Sequence, residues 1–378
     1  MKIRPLVALD IGSTKVACAI GLPHEHSTGF ELLGSSLVPY PLLSESWLSD
    51  PLMVSRTIEQ ALEATAVNGS YDRAVVAVNP PTLTSEHVQA AIPLGDEPIT
   101  VRAQDVDRLQ RGALQQVLGV DREALFVERL ACAGNGFQGV RDPRGLSATR
   151  LVGTFHVLTI PMAARRALVQ AVESAGLEVA RLTYTLPAIL ASLADERLLQ
   201  QRVLVIDAGG LSIDVGLFVE GGLHAVRIVP GGGVTLTTQI AKECGVTMEQ
   251  ALVWSLEGIG CRKTEVRPLI EAHWARLEDA IDMLLEDQPR PDVTLLSGRA
   301  ALGDGFVEWL EHTVGMKSVL CRSGRTSAHN DLVRQLGLST AIGLLEMTTR
   351  QFHGTAVHAP RPLNRLIDRT RAILTEYF

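Results

Sequence analysis

The chain has 378 residues, 46% hydrophobic and 20% charged. At roughly 150 residues per domain that is material for two or three packed domains, and it rules out wholesale disorder. Lys plus Arg number 35 against 42 Asp plus Glu, a net charge of −7, so no nucleic-acid partner is expected, because phosphate contact wants a basic surface. Cys18, Cys132, Cys244, Cys261 and Cys321 are scattered without a CxxC pair, which argues against a disulfide framework or a zinc site and for a reducing cytosol.

At the start, Leu6-Val7-Ala8-Leu9 is too short for a signal-peptide core and ends in Asp10. No stretch is long and apolar enough for a spanning helix. Leu6 to Gly21 reads as strand, tight turn, strand, with apolar β-formers flanking Asp, Gly, Ser and Thr. Arg56 to Ala66 has helical spacing and precedes a strand at Ala74 to Val78. Helices are expected at Asp105 to Leu118 and at Arg165 to Ala175, the latter ended by Gly176. Arg202 to Leu223 then repeats the opening pattern, an Asp at the end of an apolar strand followed by small residues and a second strand. Two such hairpins half a chain apart imply two related α/β halves facing each other. Further helices are expected at Val234 to Lys242, Pro268 to Glu286 and Gly305 to His312, and a short buried strand at Asp292 to Leu296. Gln351 to Pro362, with Gly354, Pro360 and Pro362, reads as a linker before a periodic segment, Leu363 to Phe378.

The hairpins suggest a chemistry. A nucleoside triphosphate needs backbone N–H donors around its phosphates and carboxylates to hold hydrated Mg²⁺. Gly12, Ser13 and Thr14 offer a turn with donors, Lys15 a positive charge and Asp10 a metal-facing carboxylate. Gly209, Gly210 and Ser212 offer the opposing turn, with Asp207 as the second carboxylate. Either hairpin alone reads equally as an ordinary β-turn. A third element, Thr294 to Gly305, is strand, glycine turn, helix, where Gly298 would let a purine ring approach the backbone.

This set resembles the actin/Hsp70/hexokinase ATPase superfamily, and within it the FtsA branch of bacterial cell-division proteins. LDIGSTKV (Leu9 to Val16) is similar to that family's first hairpin. Asp121 to Thr159, with its turn at Gly139, Asp142, Pro143 and Gly145, resembles the small α/β domain inserted in FtsA. Val229 to Ala241, Arg267 to Leu284 and Ser339 to Met347 resemble later family segments. The resemblance implies a two-lobed actin/Hsp70-like α/β fold. Lobe 1 would comprise 1–79, 163–201 and 321–350, with the insert at 80–162. Lobe 2 would be 202–320, with a reduced 2B subdomain at about 245–290. A linker at 351–362 and an amphipathic membrane helix at 363–378 would follow.

Several positions depart from the family pattern. Leu211 replaces the third glycine of the second hairpin, and the adenosine turn reads Ser297-Gly298-Arg299. Glu249 to Gly258 lacks the usual Glu and Lys for ribose and adenine. Thr183 to Glu196 has Thr or Tyr where relatives carry a water-positioning Glu or Gln. Only Cys261 to Val266 joins Gly260 to the next helix, so the subdomain that grips the FtsZ tail is cut down to mostly helices. ATP with Mg²⁺ is therefore expected to bind weakly, with little or no hydrolysis.

At the terminus, Leu363, Leu366, Ile367, Ile373, Leu374, Tyr377 and Phe378 fall on one helical face. The pattern alone fits a helix packed on its own domain. The Pro-bearing linker and the family resemblance imply a reversible membrane anchor instead. The implied function is an adaptor on the cytoplasmic face of the inner membrane at the division site. It would self-associate, hold the C-terminal tail of FtsZ and meet later division proteins. Two alternatives stand beside it: a pilus-assembly actin-like protein binding a partner peptide, and a small-molecule kinase of the same superfamily, for which no acceptor base is evident. Elsewhere, His24 and His26 suggest a metal pair without a third ligand, Trp254 and Trp274 read as packing, Asp142-Pro143-Arg144 as a turn, and Asp214 as a hairpin cap.

Overall fold

A computed structural model describes residues 4–25, 29–40, 50–69, 71–315, 317–326 and 331–352. The terminal segment with Leu363, Leu366, Ile367, Ile373, Leu374, Tyr377 and Phe378 lies outside the described residues, as does His26. The first hairpin is β1 (Leu6–Ile11) and β2 (Lys15–Pro23), continued by β3 (Phe30–Pro39). Helix α1 (Pro51–Ala64) starts as its sequence dictates: Asp50 accepts from the Met53 N–H and proline stands at its start. Its Val54, Ile58 and Ala61 are buried at helical spacing. β4 (Arg73–Val78) runs parallel to β1.

The chain then leaves this sheet and returns to it as β11. The excursion contains β5 (Thr84–Pro93), β6 (Ile99–Thr100), α2 (Ala103–Val117), β7 (Arg122–Gly134), β8 (Phe137–Val140), β9 (Ser147–Ala148) and β10 (Arg150–Pro161). β5, β10, β7 and β8 form a sheet in that order. Together with α2 it encloses its own core around Leu109, Leu151, Phe155 and Val157. Helix α3 (Met162–Ser174) carries the chain back to β11 (Glu178–Tyr184), parallel to β4. A short α4 (Thr185–Ala191) follows.

The second half repeats the first. β12 (Arg202–Ala208), β13 (Ser212–Val219) and β14 (Gly222–Pro230) form an antiparallel meander. β15 (Val293–Ser297) and β16 (Ser318–Leu320) add on parallel. The sheet orders are β3-β2-β1-β4-β11 and β14-β13-β12-β15-β16, so each lobe has three antiparallel strands beside two parallel ones. The two facing α/β halves expected from the repeated hairpins are therefore present. Between β14 and β15 stand only helices: α5 (Gly233–Cys244), α6 (Met248–Glu257), a short 3-10 turn and α7 (Val266–Leu285). Val266, Ile270, Trp274, Leu277, Ile281 and Leu284 make one buried stripe of α7. Trp274 is core, edge-on to Phe306 and tilted against Trp309 of α8 (Phe306–Val314). Trp254 lies under the Lys263 ammonium.

After α9 (Leu332–Gly337), α10 (Ser339–Phe352) returns to lobe 1 and extends two residues into the segment expected to be linker. Strand alternation explains its seat. Val7, Leu9 and Ile11 enter the main core with Val54 and Ile58 of α1, while Ala8, Ala17 and Ala19 face Ile342 and Leu345 of α10. The small residues let α10 lie close. A Cβ on Gly343 would stand 1.7 Å from the Ala188 carbonyl oxygen of α4, which is why that helix position is glycine.

Candidate functional site

The two hairpin tips face each other. In the first, the Gly12 N–H closes the turn on the Lys15 carbonyl at 3.0 Å, and Asp10 lies at the end of β1. In the second, the Gly209 N–H donates to the Ser212 carbonyl at 3.0 Å, and Asp207 lies near the end of β12. A Cβ on Gly210 would come within 2.2 Å of Thr14 Cγ2 and 3.2 Å of Ser13 Oγ, so the tips are in contact and Gly210 is there to allow it. The N–H groups of Ser13, Thr14, Gly210 and Leu211 donate to nothing among the described residues. Such facing, uncommitted donors fit an anion.

Charge is arranged behind the donors. Lys15 Nζ contacts Asp10 Oδ2 at 2.6 Å, with Asp10 almost fully buried. Burial, then the Asp10 charge, push the Asp207 carboxyl up to about 6, against the pull of Lys15 and a hydrogen bond from Ser297. Asp214 pairs with Asp207 across the hairpin and is completely buried. It accepts from the Tyr184 hydroxyl at 2.8 Å. Burial and the neighbouring Asp207 push it up to about 7. Asn79, just past β4, donates to Ser212 at 3.2 Å and so ties lobe 1 to the second hairpin. Asp10, Asp207 and Asp214 thus lie near a single ammonium, Lys15, and a further cation there would favour their charged forms. The donors, Lys15 and the Asp10–Asp207 pair together fit a metal-bound polyphosphate.

The expected site residues fall into two groups. Asp10, Gly12, Ser13, Thr14, Lys15, Asp207, Gly209, Gly210 and Ser212 converge on the two tips. Gly298, at φ +84°, borders them from the end of β15, but its glycine has a protein cause: a Cβ would lie 2.2 Å from the Ala208 carbonyl oxygen. Leu211 turns its side chain onto the core that spans both lobes. The first turn of α5 is stitched to the second tip by Gly233 N–H to Gly209 and Val234 N–H to Gly210, both at 2.9 Å. Asn79 is not singled out by the sequence, while Tyr184 and Ser297 are read there only as departures from the family pattern. Each lies at a strand end, where only the fold brings it to the hairpins. His24 joins no group able to hold a metal among the described residues. Asp142 and Arg144 form an ion pair in the turn expected of them.

Residues 81–159 match the SHS2 domain inserted in FtsA. The chain is 25% identical over 251 residues to the cell division protein FtsA of Escherichia coli K12, a stretch covering 65% of this chain and 58% of that protein. The match thus spans less than two thirds of that relative. FtsA of Pseudomonas aeruginosa is 24% identical over 371 residues, covering 90% of this chain and 88% of that protein. Among solved structures, a chain of the PilM-PilN type IV pilus biogenesis complex superposes with a TM-score of 0.70 at 17% identity, over 91% of this chain and 98% of that one. MreB5 of Spiroplasma citri bound to AMPPNP superposes with a TM-score of 0.51 at 12% identity, over 94% and 99%. The fold is that of the actin-like ATPases.

Proposed function

Taking the chain as a relative of FtsA, with an SHS2 insert in an actin-like fold, we propose that it is a cell-division adaptor. It lies on the cytoplasmic face of the inner membrane through residues 363–378 and associates with further copies of itself. Its helical α5–α7 unit holds the C-terminal tail of FtsZ, and later division proteins join it at the division site. ATP with Mg²⁺ would be held between the hairpins by the Ser13, Thr14, Gly210 and Leu211 N–H groups and Lys15 at the phosphates, with Asp10 and Asp207 serving the metal through water. The metal would neutralise phosphate charge there. Tyr184 stands where a water-positioning Glu or Gln is expected, and the Asp214 carboxyl it donates to is wholly buried, out of reach of an attacking water, which supports binding with little hydrolysis.

The observation that carries the reading is the SHS2 domain seated in the crossover between β4 and β11 of an actin-fold lobe. A second reading, a pilus-assembly protein binding a partner peptide, is favoured by the superposition on the PilM-PilN complex. The two separate at the terminus. A tagged full-length chain should mark the division site, and the chain ending at Pro362 should spread through the cytoplasm. Unchanged membrane localisation after that truncation would count against the anchor and for the pilus reading.

A further inference from the structure

β13 starts at Ser212 on the second tip and ends at Val219, where Glu220 and Gly221, at φ +50° and +75°, turn the chain tightly into β14. The SHS2 sheet captures this turn by its backbone. Arg141 donates to the Val219 carbonyl at 2.6 Å and to the Glu220 carbonyl at 2.8 Å. His156 Nδ1 lies 3.0 Å from the Leu223 carbonyl and His87 Nε2 lies 2.7 Å from that of His224. The Leu223 N–H bonds to the buried Glu128 carboxyl. Gly222 makes room: a Cβ there would stand 2.1 Å from Arg141 Nη2. The grip is built from side chains of three SHS2 strands and the loop after β8. Its target is main chain of the other lobe. At the far end of the same strand, Gly210 touches Thr14.

We propose that this grip is a latch that holds β13 where the hairpin tips are closed, so that parting the tips around a phosphate and releasing the SHS2 domain are one event. A single paired strand joins the two contacts, and packed elements of this kind move between discrete arrangements rather than stretch. Linkage makes the effect reciprocal: what loosens the latch must favour the phosphate ligand by the same factor. The ligand rests on the nucleotide reading above, while the mechanics do not.

Hydrogen exchange on the full chain, with MgATP titration alongside, tests it. Arg141→Ala should speed exchange at residues 219–224 and also at the hydrogen-bonded amides of the distant tip, Gly209, Gly231, Gly233 and Val234, and should tighten MgATP binding fivefold or more. Gly222→Ala is the second variant, because its methyl displaces only the flexible end of Arg141. Faster exchange confined to 219–224, with tip protection and MgATP affinity unchanged, would overturn the latch. Should the wild type bind no MgATP, the nucleotide reading falls, and exchange at Gly209, Gly231, Gly233 and Val234 alone upholds or overturns the latch.

Discussion

Asp214→Asn should stabilise the protein at pH 8 by about 2 to 4 kcal/mol and have little effect at pH 4. The folded carboxyl is pushed up to about 7 from an ordinary 3.8, chiefly by burial and then by Asp207. It therefore binds more protons folded than unfolded. Stability is fully present below about pH 4 and is lost as pH rises through about 7. An amide carries no charge to bury. It still accepts from the Tyr184 hydroxyl through its remaining oxygen. Denaturant unfolding at pH 4, 6 and 8 checks this. A loss of stability at pH 8 equal to that at pH 4 would mean that the carboxylate is structural. A gain would mark Asp214 as a residue kept for ligand chemistry at the expense of stability.

Glu128→Gln and His156→Asn should tilt the pH dependence of stability in opposite directions. Burial pushes Glu128 up to about 7 from 4.5, opposed by Arg141, the Leu223 N–H and Arg129. Burial pushes His156 down to about 4 from 6.5, opposed by the Leu223 carbonyl and reinforced by His87 and His224. Between about pH 4.5 and 6.5 the folded joint keeps a proton on Glu128 and refuses one to His156, and the two contributions nearly cancel. Glu128→Gln leaves the histidine uncompensated, so stability should rise with pH across that window relative to wild type, by up to about 3 kcal/mol. His156→Asn leaves the glutamate, so stability should fall as pH rises to about 7. Unfolding midpoints for each variant against wild type, in half-unit steps of pH, measure both slopes. Slopes of the same sign would contradict one of the two burial shifts.

Much of this architecture is legible in the sequence where the signal is local. The apolar runs ending in Asp10 and Asp207, each followed by glycine and small residues, place both hairpins and imply the duplicated lobes. Helix positions follow from apolar spacing, with ends off by a few residues because caps decide them: α1 begins five residues earlier than its spacing suggests, at the Asp50–Pro51 cap. The SHS2 insert is legible through its glycine and proline turn, of which Gly139 and Gly145 adopt positive φ. What was not legible depends on contacts far apart in the chain. Gly298 reads as a place for a purine, yet the backbone of Ala208 fills the space beside it. Arg141, His87 and His156 carry no motif, since what they recognise is the main chain of a turn some 67 to 137 residues away. Tyr184 reads as a substitution for a missing residue, and only the fold shows its hydroxyl on Asp214.

Vesicle co-sedimentation with FtsZ tests the central claim most directly. Lipid vesicles of inner-membrane composition, FtsZ polymerised with GTP, and the full chain with MgATP are combined and pelleted. FtsZ should enter the vesicle pellet only when the full chain is present. Capture should be lost with the chain ending at Pro362, and also when FtsZ lacks its C-terminal tail. FtsZ remaining in the supernatant while the full chain itself pellets with the vesicles would contradict the tethering role, and a full chain that leaves the vesicles bare would contradict the membrane anchor as well.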